Sequence, residues 1–130
     1  MTRLITPPRV RGVEYLDAPD VDPRIVRRSL ADVALANTLF GGTRAVLTEV
    51  AEVLPELRPT ASLLDVGSGI GDIAAQAREL ARSRNVDLSL VTIDMSHTLA
   101  VASRARTGNA VRGTATQLPF ADGSDEARVF

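Results

Sequence analysis

The sequence predicts an α/β fold on a parallel sheet, with two helices ahead of it. Three observations carry this. From residue 61 onward, short apolar runs alternate with helical segments of about ten residues. A glycine-rich loop joins the first apolar run to the helix that follows it. The composition, 45% apolar and 24% charged, is that of a chain able to bury a core. At 130 residues, one domain-sized unit is expected.

Residues 1–23 read as an extended lead with turns, because Pro7, Pro8, Pro19 and Pro23 stand among charges. A helix is expected from Pro23, which suits a first turn. Ile25, Val26, Leu30, Val33, Ala34 and Leu35 recur there near helical spacing, between Arg24, Arg27, Arg28 and Asp32. Gly41-Gly42 breaks the helix after Phe40; the pair reads as a C-terminal stop or, with Asn37, as a hinge. A second helix fits Thr43 to Leu54, with Ala45, Val46, Val50, Val53 and Leu54 as its buried stripe. Pro55 and Pro59 close it.

Ser62 to Val66 is an apolar run ending in glycines, which suits a buried strand. Asp72 to Arg82 reads as a helix with Ile73, Ala77, Leu80 and Ala81 inward. Leu88 to Ile93 is a second strand, Ser96 to Arg106 a further helix, and Val111-Arg112-Gly113 a short third strand. Such alternation predicts parallel strands with right-handed crossovers. Two regions follow: 1–60, a lead and helical cap, and 61–130, the sheet. There is no internal repeat.

Composition excludes several functions. A net charge of -1, from 15 basic and 16 acidic residues, argues against a polyanion-binding surface. Aromatic residues, at 3%, are too few for a base-stacking platform, so no nucleic-acid partner is expected. Without cysteine there is no disulfide, thiolate metal site or cysteine nucleophile, and one histidine builds no histidine metal centre. No metal is expected. All basic residues are arginine, which removes lysine chemistry. No apolar run approaches the roughly 20 residues that span a bilayer. The start of the sequence lacks an apolar signal core, so a cytoplasmic location is expected.

The loop Asp65-Val66-Gly67-Ser68-Gly69-Ile70-Gly71-Asp72 sits where strand hands over to helix. Gly67 allows a tight turn, Gly69 lets a ligand approach the backbone, and Gly71 lets helix and strand pack closely. A plain structural turn would need the same glycines. Charge separates the possible ligands. Asp65 and Asp72 flank the loop and would repel a pyrophosphate at the helix N-terminus. The spacing Gly-x-Gly-x-Gly also differs from the dinucleotide pattern. A ligand without phosphate and carrying positive charge fits better; S-adenosylmethionine, with ammonium and sulfonium groups, is one. Asp94 ends the second strand, 23 positions after Gly71. A carboxylate there can accept ribose hydroxyls, or cap the helix near Ser96. Gly113 to Ser124 follows the third strand as a loop, with Phe120 reaching into the core in the plainest reading.

Leu64-Asp65-Val66-Gly67-Ser68-Gly69-Ile70-Gly71, Ile93-Asp94 and Gln117-Leu118-Pro119-Phe120-Ala121-Asp122-Gly123-Ser124, in that order, resemble the class I S-adenosylmethionine-dependent methyltransferases. They look most like the small-molecule branch related to quinone biosynthesis. The resemblance implies the N-terminal half of a Rossmann-like parallel sheet with helices on both faces, preceded by N-terminal cap helices. It implies that Asp65 orients the methionine ammonium and that Gly67, Ser68, Gly69 and Gly71 line the methionine and ribose. It further implies that Asp94 binds the ribose hydroxyls, Met95 packs on the adenine face, and Thr114, Ala115 and Leu118 border the adenine edge. Arg44 is a weaker candidate contact.

The sequence departs from that family in two places. Thr114 stands where many relatives carry an aspartate, and Asp125-Glu126-Ala127-Arg128-Val129-Phe130 replaces the usual opening of a fourth strand. The family sheet has seven strands in the order 3-2-1-4-5-7-6, so the chain reads as shortened after the third, with its first strand at an open edge. Acceptor-binding and catalytic residues mostly follow the fourth strand in relatives, and none is assigned here. Two functions stay in view: methyl transfer to a small-molecule acceptor, or a non-catalytic module that binds cofactor and pairs its open edge with a second copy or a complementing chain. A dehydrogenase is disfavoured by Asp65 and the glycine spacing. His97 as a general base competes with a solvated helix start. The acids around Asp122 read as a solvated turn, and Arg24, Arg27 and Arg28 as a solvated helix face.

Overall fold

The computed structural model describes residues 20–121, apart from the side chains of Asn37 and Thr38. The expected lead over residues 1–19, the acids from Asp122 onward and the expected opening of a fourth strand lie outside the described residues.

Helix α1 (Pro23–Leu39) starts where the Asp22 carboxylate accepts the Arg24 N–H at 2.8 Å. Pro23 takes the first position, where its missing N–H costs nothing. The helix closes with Phe40 N–H on the Ala36 carbonyl. Gly41, at φ +83°, then turns the chain into α2 (Gly42–Val53). The Gly41-Gly42 pair is therefore a stop. Only a narrow face of α1 is covered. Val26 is buried and Leu30 half-buried, while Ile25, Val33 and Leu35 are exposed.

The buried face of α2 is the expected one only in part: Val50 and Leu54 are on it and Val53 is half-buried. Ala45 and Val46 are exposed, whereas Thr43, Leu47, Val50 and Leu54 turn inward. These four fall at i, i+4, i+7 and i+11, one face of a helix. Leu47 and Val50 lie against the core and fix that face. A single 3-10 turn, Leu54–Glu56, leads on to the sheet.

The sheet comprises β1 (Thr60–Val66), β2 (Asp87–Asp94) and β3 (Ala110–Arg112), all parallel and in the order β1-β2-β3. Helix α3 (Asp72–Ser83) joins β1 to β2, and α4 (His97–Thr107) joins β2 to β3. Each element lies within two residues of its expected bounds. This is the α/β half-sheet the sequence predicts. Among the described residues β1 is at an edge and no residue in it is fully buried, so it is less enclosed there than a two-sided buried strand.

Side chains alternate along β2. Leu88 and Leu90 pack against Ala74, Ala77 and Ala81 of α3, together with Leu54 and Val86. Three alanines keep that helix close to the sheet without voids. Thr92, next on the same face, pairs with Ser103 of α4 at 2.7 Å between hydroxyls. Both crossover helices thus lie on the Leu88–Leu90–Thr92 face. Arg78, midway along α3, donates to the carbonyls of Thr107 and Arg106 at the end of α4, each at 3.0 Å. A cation there complements the C-terminal dipole of α4.

The start of α3 meets the C-terminal half of α4 through Gly71. A Cβ on that residue would collide with Ser103 Oγ and stand 3.1 Å from Thr107 Cγ2, at φ +73°. Gly71→Ala is expected to destabilise by about 2–4 kcal/mol, combining overpacking with left-handed strain. Gly41→Ala, with open space around it, should lose only about 1 kcal/mol. Chemical denaturation of the two variants checks the difference.

Candidate functional site

The parallel sheet delivers the predicted site residues to one end. Asp65 is the penultimate residue of β1, Asp94 the last of β2, and the glycine loop opens between β1 and α3. Gly67, Gly69 and Gly71 all have positive φ, at +77°, +56° and +73°. The loop is drawn toward β2 by two bonds to one acceptor: Gly67 and Ser68 donate N–H to the Ile93 carbonyl at 2.8 and 3.0 Å.

Asp94 completes the junction. Its Oδ2 accepts the Gly69 N–H at 3.0 Å, and its Oδ1 accepts the Ser96 N–H at 2.9 Å. Asp94 is not the helix cap: that position falls to Ser96, whose side chain makes no capping bond, while Asp94 closes an Asx-type turn ahead of α4 and also holds the loop. Each oxygen keeps a further acceptor position, since an ionised carboxylate offers about four lone-pair sites.

Three carboxylates surround the loop. Asp65 is half-buried, and its carboxyl is held above the ordinary 3.8, first by burial and then by the charges of Asp72 and Asp94. The arrangement favours a positively charged ligand group, which would relieve both repulsions on Asp65. A second mark of an incomplete set of contacts is the Ser68 hydroxyl, buried with no hydrogen-bond partner. A Cβ on Gly67 would meet nothing within 4 Å, so the loop backbone is open to an approaching group. Leu30 of α1 comes within 3.9 Å of where a Cβ on Gly69 would stand, which brings the N-terminal helix to the loop.

The remaining candidates are placed more loosely. Met95 directly follows Asp94 and is 56% exposed. Thr114, Ala115 and Leu118 lie in a turn closed by Gln117 N–H on the Thr114 carbonyl at 3.2 Å. The segment is tied to the site by Gly113 N–H, which donates to the Asp94 carbonyl at 3.0 Å. The Thr114 hydroxyl is engaged with Thr116, at 3.1 Å between oxygens. Phe120 is half-buried, and His97 is exposed at the first position of α4. Arg44 is exposed and borders a cleft of about 410 Å³ between α2 and α3, with Leu47, Gln76 and Leu80. Another cleft of about 410 Å³ lies around Pro59, Arg78, Arg82 and Asp87, at the opposite end of the strands. No loop residue lines either cleft.

Sequence reasoning missed two supports. Ser103 and Thr107, on one face of α4, are the small groups against which Gly71 packs. Their i, i+4 spacing was a readable signal. Arg112 was counted only as part of a weak strand, yet its Nε donates to the Met95 carbonyl at 3.0 Å.

With this geometry in place, one comparison with known families gives a match. Residues 64–127 match the family described as the methyltransferase domain. The matched segment runs from the end of β1 past β3 and contains every loop and strand-end residue named above. It supports a class I S-adenosylmethionine-dependent methyltransferase, and methyl transfer as the chemistry. Methyltransferase domains of this kind generally bind S-adenosylmethionine. No curated protein and no solved structure matches the chain.

The raised carboxyl of Asp65 has a signed consequence for stability. A folded-state value above 3.8 means that the folded chain binds its proton more tightly than the unfolded chain does. Its contribution is fully present below 3.8 and is lost as pH rises through the folded value. Asp65→Asn removes that dependence. The stability of Asp65→Asn relative to the native chain should be flat below 3.8 and rise above it. Urea midpoints of both proteins across acid pH measure this.

Proposed function

We propose that the chain binds S-adenosylmethionine at the β1 and β2 ends and serves methyl transfer to a small-molecule acceptor, in the branch related to quinone-biosynthesis methyltransferases. The observation that carries this reading is the Asp94 carboxylate bonded to Gly69 within a loop ringed by Asp65 and Asp72. Such a loop is hostile to phosphate and receptive to a cation.

The residues present suit that group. Asp65 orients the ammonium. Gly67, Ser68, Gly69 and Gly71 line the methionine and ribose, where the orphaned Ser68 hydroxyl gains a partner. Asp94 accepts the ribose hydroxyls on its remaining lone pairs. Met95 offers its exposed side chain to the adenine face, and Thr114, Ala115 and Leu118 border the adenine edge. When bound, the cofactor supplies an electrophilic methyl on sulfonium sulfur. The chain's own contribution is to hold the reacting partners in line and exclude water, which lowers the barrier through proximity and orientation. Residues 1–60 act as the cap over 61–130, a division supported by Leu30 standing beside Gly69. Among the described residues no helix is long and apolar enough to cross a membrane.

The sheet order favours a second reading. With β1 at the edge, the chain serves as a cofactor-binding module that pairs this edge with a second copy or a complementing chain. Sedimentation separates the two, since the module reading requires a stable complex.

Calorimetric titration of the 130-residue chain with S-adenosylmethionine and S-adenosylhomocysteine tests the cofactor reading. Saturable binding is expected. Asp94→Ala should weaken it by about 100-fold or more, the scale of two charge-assisted hydrogen bonds, with circular dichroism checking that the chain still folds once the Gly69 and Ser96 bonds are lost. A folded chain that binds neither ligand would reduce the glycine loop to architecture.

A further inference from the structure

We propose that Arg112 is a positioning residue for the nucleoside end of the cofactor, acting through the turn that presents Met95. This rests on the cofactor reading above.

Asp94 and Arg112 are the last residues of β2 and β3, and they stand opposite each other in the parallel register. The Arg112 side chain crosses to the β2–α4 turn and donates Nε–H to the Met95 carbonyl at 3.0 Å. The next residue does the same from the backbone, with Gly113 N–H on the Asp94 carbonyl at 3.0 Å. Ser96 N–H is held by Asp94 Oδ1 at 2.9 Å. Three consecutive residues, 94 to 96, thus have a backbone group tied down, two of them by the end of β3. Met95 combines a fastened backbone with a side chain that is 56% exposed. An exposed apolar side chain on a braced turn is prepared for a contact, since the ordering cost is met before a ligand arrives.

The donor is Nε, so the atom at that place along the side chain matters, and charge does not. Glutamine sets an N–H at the same position without charge. Methionine fills the same position with carbon. Arg112→Met is expected to weaken S-adenosylhomocysteine binding by about three- to tenfold. Arg112→Gln should bind within about twofold of the native chain, because the bond to Met95 is kept. A double-mutant cycle adds a readout that general destabilisation would not move. In a Met95→Ala background, where the presented side chain is gone, the loss from Arg112→Met should fall to within about twofold.

The test is calorimetry on the native chain and these variants, with thermal melting to confirm folding. Arg112→Ala replaces Arg112→Met if the latter fails to fold. Rescue by glutamine together with non-additivity in the cycle supports the proposal. It is overturned, with the cofactor reading intact, by any of three results: no loss in Arg112→Met, a loss in Arg112→Gln equal to that in Arg112→Met, or an undiminished loss in the Met95→Ala background. A native chain that does not bind S-adenosylhomocysteine overturns the cofactor reading and this proposal together.

Discussion

The carboxylate of Asp94 bonds the loop before α3 with one oxygen and the turn before α4 with the other. Those two N–H groups lie outside the strand ladder, on the two segments that leave the strand ends. Around this junction the other features fall into place. The Ile93 carbonyl takes up the neighbouring loop amides, and Gly113 returns the chain after β3 to the Asp94 carbonyl. A charged acceptor bonding backbone donors is stronger than a neutral one, which suits a residue serving both turns.

Electrostatics gives the same end of the sheet its selectivity. Strand-end geometry gathers Asp65, Asp72 and Asp94 near one loop, and burial raises the cost of ionising Asp65 further. A structural glycine turn has no need of this. Helix N-termini attract anions by default, yet here α3 begins with Asp72 in its first turn. The natural anion site is thereby taken by the protein's own side chain, leaving a surface suited to cations.

Much of this was legible in the sequence, for identifiable reasons. Strand and helix bounds followed from the switch of period at residue 61, and the loop from glycines flanked by Asp65 and Asp72. Asp94 was readable because a carboxylate ending an apolar run has few other roles. The inward face of α2 was legible only in its second half, at Val50 and Leu54. Val46 and Leu47 are adjacent and both apolar, and only the seat of Leu47 against the core decides which faces in. The breadth of α1 misled in a similar way, since helical spacing says where apolar residues lie but not how wide a face a neighbour covers. Long-range contacts such as Gly71 with Ser103, or Arg112 with Met95, depend on crossover geometry that no local pattern encodes.

The pairing of α3 with α4 reaches further than packing. Arg78 grips the last carbonyls of α4 with its two terminal nitrogens, and Gly71, at the start of α3, abuts Ser103 and Thr107 in the same half of α4. Both contacts fix α3, and the loop that leads into it, against the C-terminal half of α4. Such a platform is assembled in advance and leaves little rearrangement for the moment of encounter. Arrival is then governed by diffusion and by the acidic field at the strand ends. Similar ligands differ mainly in how long they stay.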